Sequence, residues 1–232
     1  MKTVPIVALD VPSQEAASII VSAIGDLCRF YKVGSELSTS AGPSMVRFLR
    51  DHGNEVFLDL KWHDIPNTIK GAARSASRLG ARLVTVHASG GIPMMRAAVE
   101  GARQGGGQTK VLAVTVLTSF DAERLNQAWG RPNIVVADEV LRLAGQAVEA
   151  GVQGIVCGGA EAAAVRQRFG NALEILVPGV RLAGAASNDQ VRVVTPQEAA
   201  TAGANYVVVG RTVTASPAPR DAMRQVIDAV TN

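Results

Sequence analysis

The feature that most limits the fold of this chain is a regular alternation between short apolar runs and longer amphipathic segments. Eight runs rich in Val, Ile and other apolar residues recur along the sequence, and each is followed by an Ala-rich segment with helical spacing. Strands that alternate with helices are typical of βαβ units and a parallel sheet. Eight such units in 232 residues predict one α/β domain, a (β/α)8 TIM barrel spanning residues 1–232.

The bounds of the predicted elements follow from these runs. We predict strands at residues 6–9, 30–33, 56–60, 83–87, 111–116, 154–157, 175–177 and 206–209. We predict helices around residues 13–24, 39–52, 66–79, 92–103, 136–150, 160–168, 196–202 and 217–230. An open, doubly wound sheet is the alternative, but no G-x-G-x-x-G motif follows the first strand. The barrel is therefore the favoured fold.

Polar residues gather where the predicted strands end. Active sites of (β/α)8 barrels lie at the carboxyl ends of the strands, so these positions map a candidate site. The strand ends, and the residues directly after them, include Asp10, Lys32, Asp59, Lys61, His87, Thr118, Gly210 and Arg211. We therefore predict that these residues surround one ligand cavity.

The segment from Asp59 to Thr68 is the most informative part of the chain. Its sequence is Asp-Leu-Lys-Trp-His-Asp-Ile-Pro-Asn-Thr, directly after an apolar run. Side chains of a regular strand alternate between faces, so Asp59 and Lys61 are expected to share one face. Opposite charges at the end of an apolar strand are costly to desolvate, which favours a catalytic site. The alternative is a strand-end ion pair at a solvated rim.

Composition limits the classes of ligand and compartment. The 23 Lys and Arg residues are dispersed, the net charge is +3 and aromatic residues make up 4% of the chain. These values argue against nucleic acid as a partner and fit a small anionic ligand. No signal peptide is recognisable and no apolar run approaches the roughly 18 residues of a membrane span. We predict a cytoplasmic protein without a membrane partner, in which Cys28 and Cys157 are reduced and buried and bind no zinc.

At these residues the chain resembles a known family. Asp59-x-Lys61-x-x-Asp64 followed by Ile65-Pro66-Asn67-Thr68 is similar to the signature of the orotidine 5′-monophosphate decarboxylase family in its compact bacterial form. The resemblance covers nearly the whole chain, and the ten-residue motif is highly specific. Further matches occur in the family's order: Ala8-Leu9-Asp10, Lys32-Val33-Gly34, Val86-His87-Ala88, Leu117-Thr118-Ser119, Pro178-Gly179-Val180-Arg181, Gln190 and Val209-Gly210-Arg211.

The resemblance implies a homodimer of barrels with shared active sites and with no metal or organic cofactor. Lys32, Asp59 and Lys61 would come from one subunit, while Asp64 and Thr68 would reach across from the partner. The other implied contacts to the nucleotide substrate are Asp10 with Lys32 at the ribose, Asp59 beside the reacting group, Thr118 at the pyrimidine, and Arg181, Gln190, Gly210 and Arg211 at the phosphate.

The implied reaction is decarboxylation of orotidine 5′-monophosphate to uridine 5′-monophosphate in pyrimidine biosynthesis. It leaves negative charge on ring carbon six, where the π system cannot delocalise it. The Lys61 ammonium can stabilise this charge and then donate the proton. Asp59 and Asp64 would keep Lys61 charged and oriented. We further predict that residues 179–189 form a lid over the phosphate, and that His87 orients neighbouring groups rather than transferring protons.

Two other functions stay open on the sequence. Metal-dependent sugar-phosphate decarboxylases or synthases on the same barrel share the Asp-x-Lys-x-x-Asp pattern, but we associate them with an acid in place of Lys32. A non-enzymatic phosphate sensor would explain Arg181 and Arg211. It would not explain the cluster of acids and lysines at Asp59.

Overall fold

The computed structural model is a closed barrel of eight parallel strands in chain order, described for residues 3–182 and 193–231. Strand β1 pairs with β8 and closes the barrel. The predicted (β/α)8 fold is confirmed, and each strand overlaps its predicted run. The strands are β1 (Val4–Ala8), β2 (Phe30–Gly34), β3 (Glu55–Trp62), β4 (Leu83–His87), β5 (Lys110–Val114), β6 (Gly154–Val156), β7 (Glu174–Val177) and β8 (Tyr206–Val209).

Helices connect the strands and pack against the outside of the barrel. Among the residues that the structure describes, none of these helices combines the length and the apolar character needed to cross a membrane. The helices are α1 (Gln14–Ile24), α2 (Ser35–Ala41), α3 (Pro43–Asp51), α4 (Pro66–Arg78), α5 (Gly91–Gln104), α6 (Ala122–Trp129), α7 (Val136–Ala150), α8 (Gly159–Phe169), α9 (Pro196–Thr201), α10 (Arg211–Thr214) and α11 (Pro219–Thr231).

The helix pattern differs from the sequence prediction in three places. The single helix predicted around residues 39–52 is wrong, because the segment forms α2 and α3. Gly42 between them has φ 59°, which glycine adopts without steric cost, and Pro43 opens α3 where no N–H partner is needed. Helices α6 and α10 had no predicted counterpart. Local signals for α6 were present, because the Asp121 side chain caps its start and Gly130 follows its end in the left-handed conformation.

Side chains of the strands alternate between two apolar layers. Ile6, Phe57, Leu83 and Leu112 fill the barrel interior, whereas their strand neighbours face the surrounding helices. Burying each such side chain contributes roughly 1.5–3 kcal/mol relative to leaving it exposed. The apolar interior leaves the carboxyl-end mouth as the place where polar side chains of the strands meet.

Cys28 and Cys157 are both buried, as predicted. Burial raises the pKa of Cys28 to about 11, so this side chain is a neutral thiol at neutral pH. A buried, protonated thiol is a poor nucleophile. Cys28 therefore belongs to the packing of the fold.

Candidate active site

A cavity of about 410 Å³ opens at the carboxyl ends of the strands. Much of its lining is apolar and belongs to the core of the barrel interior. A concave, largely apolar pocket with a few convergent polar groups is typical of a small-molecule site. The charged residues that line it are Asp10, Lys32, Asp59, Lys61, Arg181 and Arg211.

Four side chains of alternating sign form a continuous series of ion pairs in this cavity. The Lys32 ammonium lies 2.7 Å from Asp10 Oδ1 and 3.7 Å from Asp59 Oδ2. The Lys61 ammonium donates to the same Oδ2 at 2.8 Å. The side chains of Lys32 and Asp59 are 11% and 9% exposed, whereas that of Lys61 is 38% exposed. A ligand can therefore reach Lys61 while the carboxylate that holds it stays shielded from water. We call these four residues the charge chain.

The end of β3 departs from regular strand geometry at Lys61. Its φ is 48°, in the left-handed region that a lysine rarely adopts. The pairing of β3 with β4 shifts register between Leu58 and Trp62. The prediction that the side chains of Asp59 and Lys61 lie on one face is confirmed, although β3 reaches this arrangement through an irregularity and not through regular alternation. An irregularity of this kind re-aims a side chain and is frequent beside active sites.

Thr85, in the middle of β4, joins this site and was missed by the sequence analysis. Its hydroxyl donates to Asp59 Oδ1 at 2.9 Å and accepts the backbone N–H of Lys61 at 3.0 Å. Thr85 is fully buried. A signal was present, because Thr85 is a hydroxyl residue inside an apolar strand and shares the face of His87 by period-two alternation.

Gly34 leaves the space in which Lys32 meets Asp10. A Cβ atom on Gly34 would lie 2.9 Å from Lys32 Nζ and 3.0 Å from Asp10 Oδ1, closer than such contacts normally occur. The φ of Gly34 is −89°, which any residue can adopt. The backbone at this position accepts alanine, but the added Cβ would displace the Lys32 ammonium from its place beside Asp10.

Four other predicted ligand contacts line the same cavity. Thr118 follows β5, Arg181 follows β7, and Gly210 and Arg211 follow β8. Arg181 is 9% exposed. The loops after the last two strands are the usual phosphate site of such barrels. Gln190 and residues 183–189 of the predicted lid lie outside the described residues, so those two predictions stay untested.

Asp64 and Thr68 lie outside the cavity of the single chain. Asp64 is exposed in the turn before α4, and its Oδ1 accepts the N–H of Ile65 at 2.6 Å. Thr68 is exposed in the first turn of α4. Ile65 between them is also 66% exposed, which is unusual for a large apolar side chain. These two predicted site residues therefore join the charge chain only if they act on another copy of the protein.

His87 lies at the edge of the site, with its ring centroid 5.7 Å from that of His63. Burial lowers the pKa of His87, and the nearby His63 and Lys61 act in the same direction. The imidazole is therefore uncharged at neutral pH. This state suits a hydrogen-bonding role, and the prediction that His87 orients its neighbours is retained.

The chain matches a known protein family over nearly its whole length. The family described as "Orotidine 5'-phosphate decarboxylase / HUMPS family" matches residues 3–226. An orotidine 5′-phosphate decarboxylase of Nitrosococcus oceani is 46% identical over 230 residues, which cover 98% of this chain and 97% of that protein. The enzyme of the same name from Anaeromyxobacter dehalogenans is 51% identical over 221 residues, or 94% of each chain.

A solved structure extends the similarity to three dimensions. The crystal structure of orotidine 5′-phosphate decarboxylase from Lactobacillus acidophilus superposes with a TM-score of 0.88. The two chains are 34% identical, and the alignment covers 100% of each. The likeness therefore includes the whole barrel.

Proposed function

This chain belongs to the orotidine 5′-phosphate decarboxylase / HUMPS family, and on that premise we propose that it converts orotidine 5′-monophosphate to uridine 5′-monophosphate in pyrimidine biosynthesis. The observation that carries the proposal is the charge chain in the cavity at the carboxyl ends of the strands. We propose further that the reaction needs no metal or organic cofactor and that Lys61 is the proton donor.

The proposed reaction breaks the bond between ring carbon six and the carboxylate carbon. The electron pair stays on carbon six, in an orbital in the plane of the ring, and carbon dioxide leaves. The Lys61 ammonium then transfers a proton to carbon six. Many decarboxylases pass such electrons to a cofactor. In this protein, fixed charges that are in place before the substrate binds would stabilise the anion instead.

Lys61 supplies a substantial part of this stabilisation but not all of it. Two unit charges about 4 Å apart interact by roughly 4 kcal/mol at an effective dielectric constant near 20. The partial exposure of Lys61 leaves its ammonium open to a ligand, and Asp59 holds it in one place. The remaining barrier reduction must come from orientation of the substrate and from binding of its non-reacting groups.

We propose that Asp59 acts mainly by positioning Lys61. A bare carboxylate at this point would repel the substrate carboxylate, and the repulsion would vanish as carbon dioxide leaves, but such ground-state destabilisation is contested as a main effect. The Asp59 charge is already compensated, because Lys61 and Lys32 both approach its Oδ2. A compensated carboxylate is better suited to holding an ammonium than to expelling an anion.

The phosphate of the nucleotide would supply binding energy at a distance from the reacting carbon. Binding energy from a group that does not react can lower the barrier at the group that does. Guanidinium groups present forked donors that match phosphate oxygens. The residues that we propose for this contact are Arg181, Gly210 and Arg211 of the cavity lining, together with Gln190. Closure of residues 179–189 over the phosphate is part of the same proposal.

Asp10 and Lys32 would bind the ribose hydroxyls, and this role gives a test at Gly34. We expect Gly34→Ala to lower kcat/KM for orotidine 5′-monophosphate about 10- to 100-fold, because its Cβ displaces the Lys32 ammonium and small misplacements are costly in a preorganised site. Steady-state kinetics would measure this. Thermal unfolding should change little, since the backbone conformation accepts alanine.

Gly145→Ala is the matched control for this substitution. Gly145 lies on α7, where an added Cβ would meet only Phe169 at an ordinary 3.9 Å. Its kcat/KM should equal that of the unmodified protein. Equal kcat/KM for Gly34→Ala and Gly145→Ala would contradict a role for the Lys32–Asp10 pair in substrate binding.

We also propose a homodimer in which Asp64 and Thr68 complete the site of the partner subunit. The exposed position of both residues, next to the exposed Ile65, supports this assignment. A carboxylate that approached the partner's Lys61 would extend the alternation of charges by one more acid. Ile65 would lose its contact with water in such an interface.

The metal-dependent alternative is tested with a chelator. The Lys32 ammonium lies between the carboxylates of Asp10 and Asp59, where it competes with a divalent cation for the same oxygens. We expect dialysed protein in excess chelator to convert orotidine 5′-monophosphate at the full rate. The decrease in orotidylate absorbance would measure this rate. Activity that vanishes with chelator and returns with Mg²⁺ would instead favour the sugar-phosphate enzymes of this barrel.

The phosphate-sensor alternative predicts binding of the nucleotide without turnover in the same assay. The charge chain favours the enzyme, because a sensor has no need for a shielded carboxylate between two ammonium groups. A cytoplasmic location, without nucleic-acid or membrane partners, completes the proposal.

A further inference from the structure

We propose that Thr85 is a positioning residue of the decarboxylation, which fixes both the backbone of Lys61 and the carboxylate of Asp59. The proposal rests on the proposed function and adds a residue to it. Thr85 does not line the cavity, so it would act on the substrate only through these two neighbours. Its hydroxyl contacts both the backbone of Lys61 and the side chain of Asp59.

The first part of the argument is the backbone of Lys61. A left-handed φ of 48° is unfavourable for a lysine and persists where surrounding contacts hold it. Ladder pairing with β4 is interrupted at this point. The Lys61 N–H donates to the Thr85 hydroxyl at 3.0 Å, so a side chain of β4 holds the irregular segment.

The second part is that the two oxygens of the Asp59 carboxylate accept hydrogen bonds from different donors. Oδ1 accepts the Thr85 hydroxyl at 2.9 Å, while Oδ2 accepts the Lys61 ammonium at 2.8 Å. The single proton of the hydroxyl is committed to Asp59, because the oxygen is already an acceptor for the N–H of Lys61. The carboxylate is thereby fixed in rotation, with Oδ2 directed at both lysines. Two contacts then determine where the Lys61 ammonium lies: the hydrogen bond from its backbone N–H to Thr85 and the ion pair with Asp59.

The third part is burial. Thr85 is fully buried, and Asp59 is nearly so. Water has little access to replace a lost hydroxyl, and a buried acceptor without a hydrogen bond is unfavourable in free energy. Removal of the hydroxyl should therefore let Asp59 rotate and Lys61 change its backbone conformation. Either movement shifts the ammonium relative to ring carbon six.

Two matched pairs of variants isolate the hydroxyl. Thr85→Val keeps the shape of threonine and removes only the hydroxyl, and Thr85→Ala differs from Thr85→Ser by the same group. We expect Thr85→Val and Thr85→Ala to lower kcat for orotidine 5′-monophosphate about 10- to 100-fold, with KM changed less than about threefold. Thr85→Ser should keep kcat within about threefold of the unmodified protein, since its hydroxyl can bridge the same groups.

A purely structural role gives a different result. It would lower the unfolding temperature of the variants while kcat per folded molecule stayed unchanged, or it would make Thr85→Ser as poor as Thr85→Ala. Either result overturns the proposal. Because Thr85→Ser and Thr85→Ala lose the same methyl group, their comparison holds even if Thr85→Val fails to fold.

The unmodified protein in the same assay keeps this test separate from that of the proposed function. Absence of turnover there counts against the proposed function alone. A crystal structure of Thr85→Val or Thr85→Ala then decides the role of Thr85 without kinetics. We expect the φ of Lys61 to change from 48° and its ammonium to lose contact with Asp59 Oδ2. The proposal is overturned if both the backbone of Lys61 and its ion pair with Asp59 stay as they are in the unmodified protein.

Discussion

Lys61→Ala is expected to lower kcat for orotidine 5′-monophosphate at least about 10⁴-fold, because it removes the charge beside carbon six and the proton donor together. KM should change far less, since the residues proposed for the phosphate and the ribose stay in place. The loss of orotidylate absorbance under saturating substrate measures kcat directly. Single-turnover measurements would show that the chemical step, and not product release, is the step that fails.

Lys110→Ala is a matched control for the loss of a lysine. Lys110 begins β5 at the opposite end of the barrel and pairs with Glu174 at 2.5 Å. Its removal should leave kcat within about twofold, since changes far from the site seldom alter the chemical step. If Lys61→Ala retained kcat within tenfold of this control, Lys61 would not be the proton donor that we propose.

A heterodimer of one Lys61→Ala subunit and one Asp64→Ala subunit is expected to regain activity that neither variant has alone. If the active sites are shared between subunits, one of the two sites of the heterodimer combines an intact Lys61 with the partner's intact Asp64. The other site lacks both residues. A purified heterodimer should therefore show about half the activity of the unmodified dimer, because the two sites of a twofold dimer are equivalent.

The two variants can be given different affinity tags, expressed together and purified over both tags in turn. Each homodimer of a single variant is the control and should be almost inactive. Mass spectrometry would establish that both chains are present in equal amounts. A proven heterodimer with no more activity than its parents would place Asp64 and Lys61 in the same chain's site and contradict the sharing.

Much of the barrel could be predicted because each strand obeys a local rule. Strand β4 has the predicted bounds, since it is a short, largely apolar run that ends in a polar residue. The starts of α1 and α9 also follow from sequence, where Ser13 and Thr195 accept backbone N–H groups of the first turn. The break between α2 and α3 was missed, although Gly42-Pro43 was a local signal for it.

Most residues of the cavity were predictable from the sequence, but Thr85 and the geometry of the site were not. The strand-end rule brought Asp10, Lys32, Asp59 and Lys61 to one cavity without any knowledge of their distances. The left-handed backbone of Lys61 depends on a contact from β4 that is 24 positions away in sequence, so no local pattern reveals it.

The charge chain has one further consequence, which concerns how an anion is drawn into the protein. Asp10 and Asp59 together cancel Lys32 and Lys61, so this half of the cavity is electrically neutral as a unit. Arg181 and Arg211 follow β7 and β8 and add positive charge to the same cavity, where it can attract an anionic substrate. On the proposed assignment of the phosphate to these two arginines, an analogue without the phosphate should be attracted into the cavity far less strongly than the nucleotide.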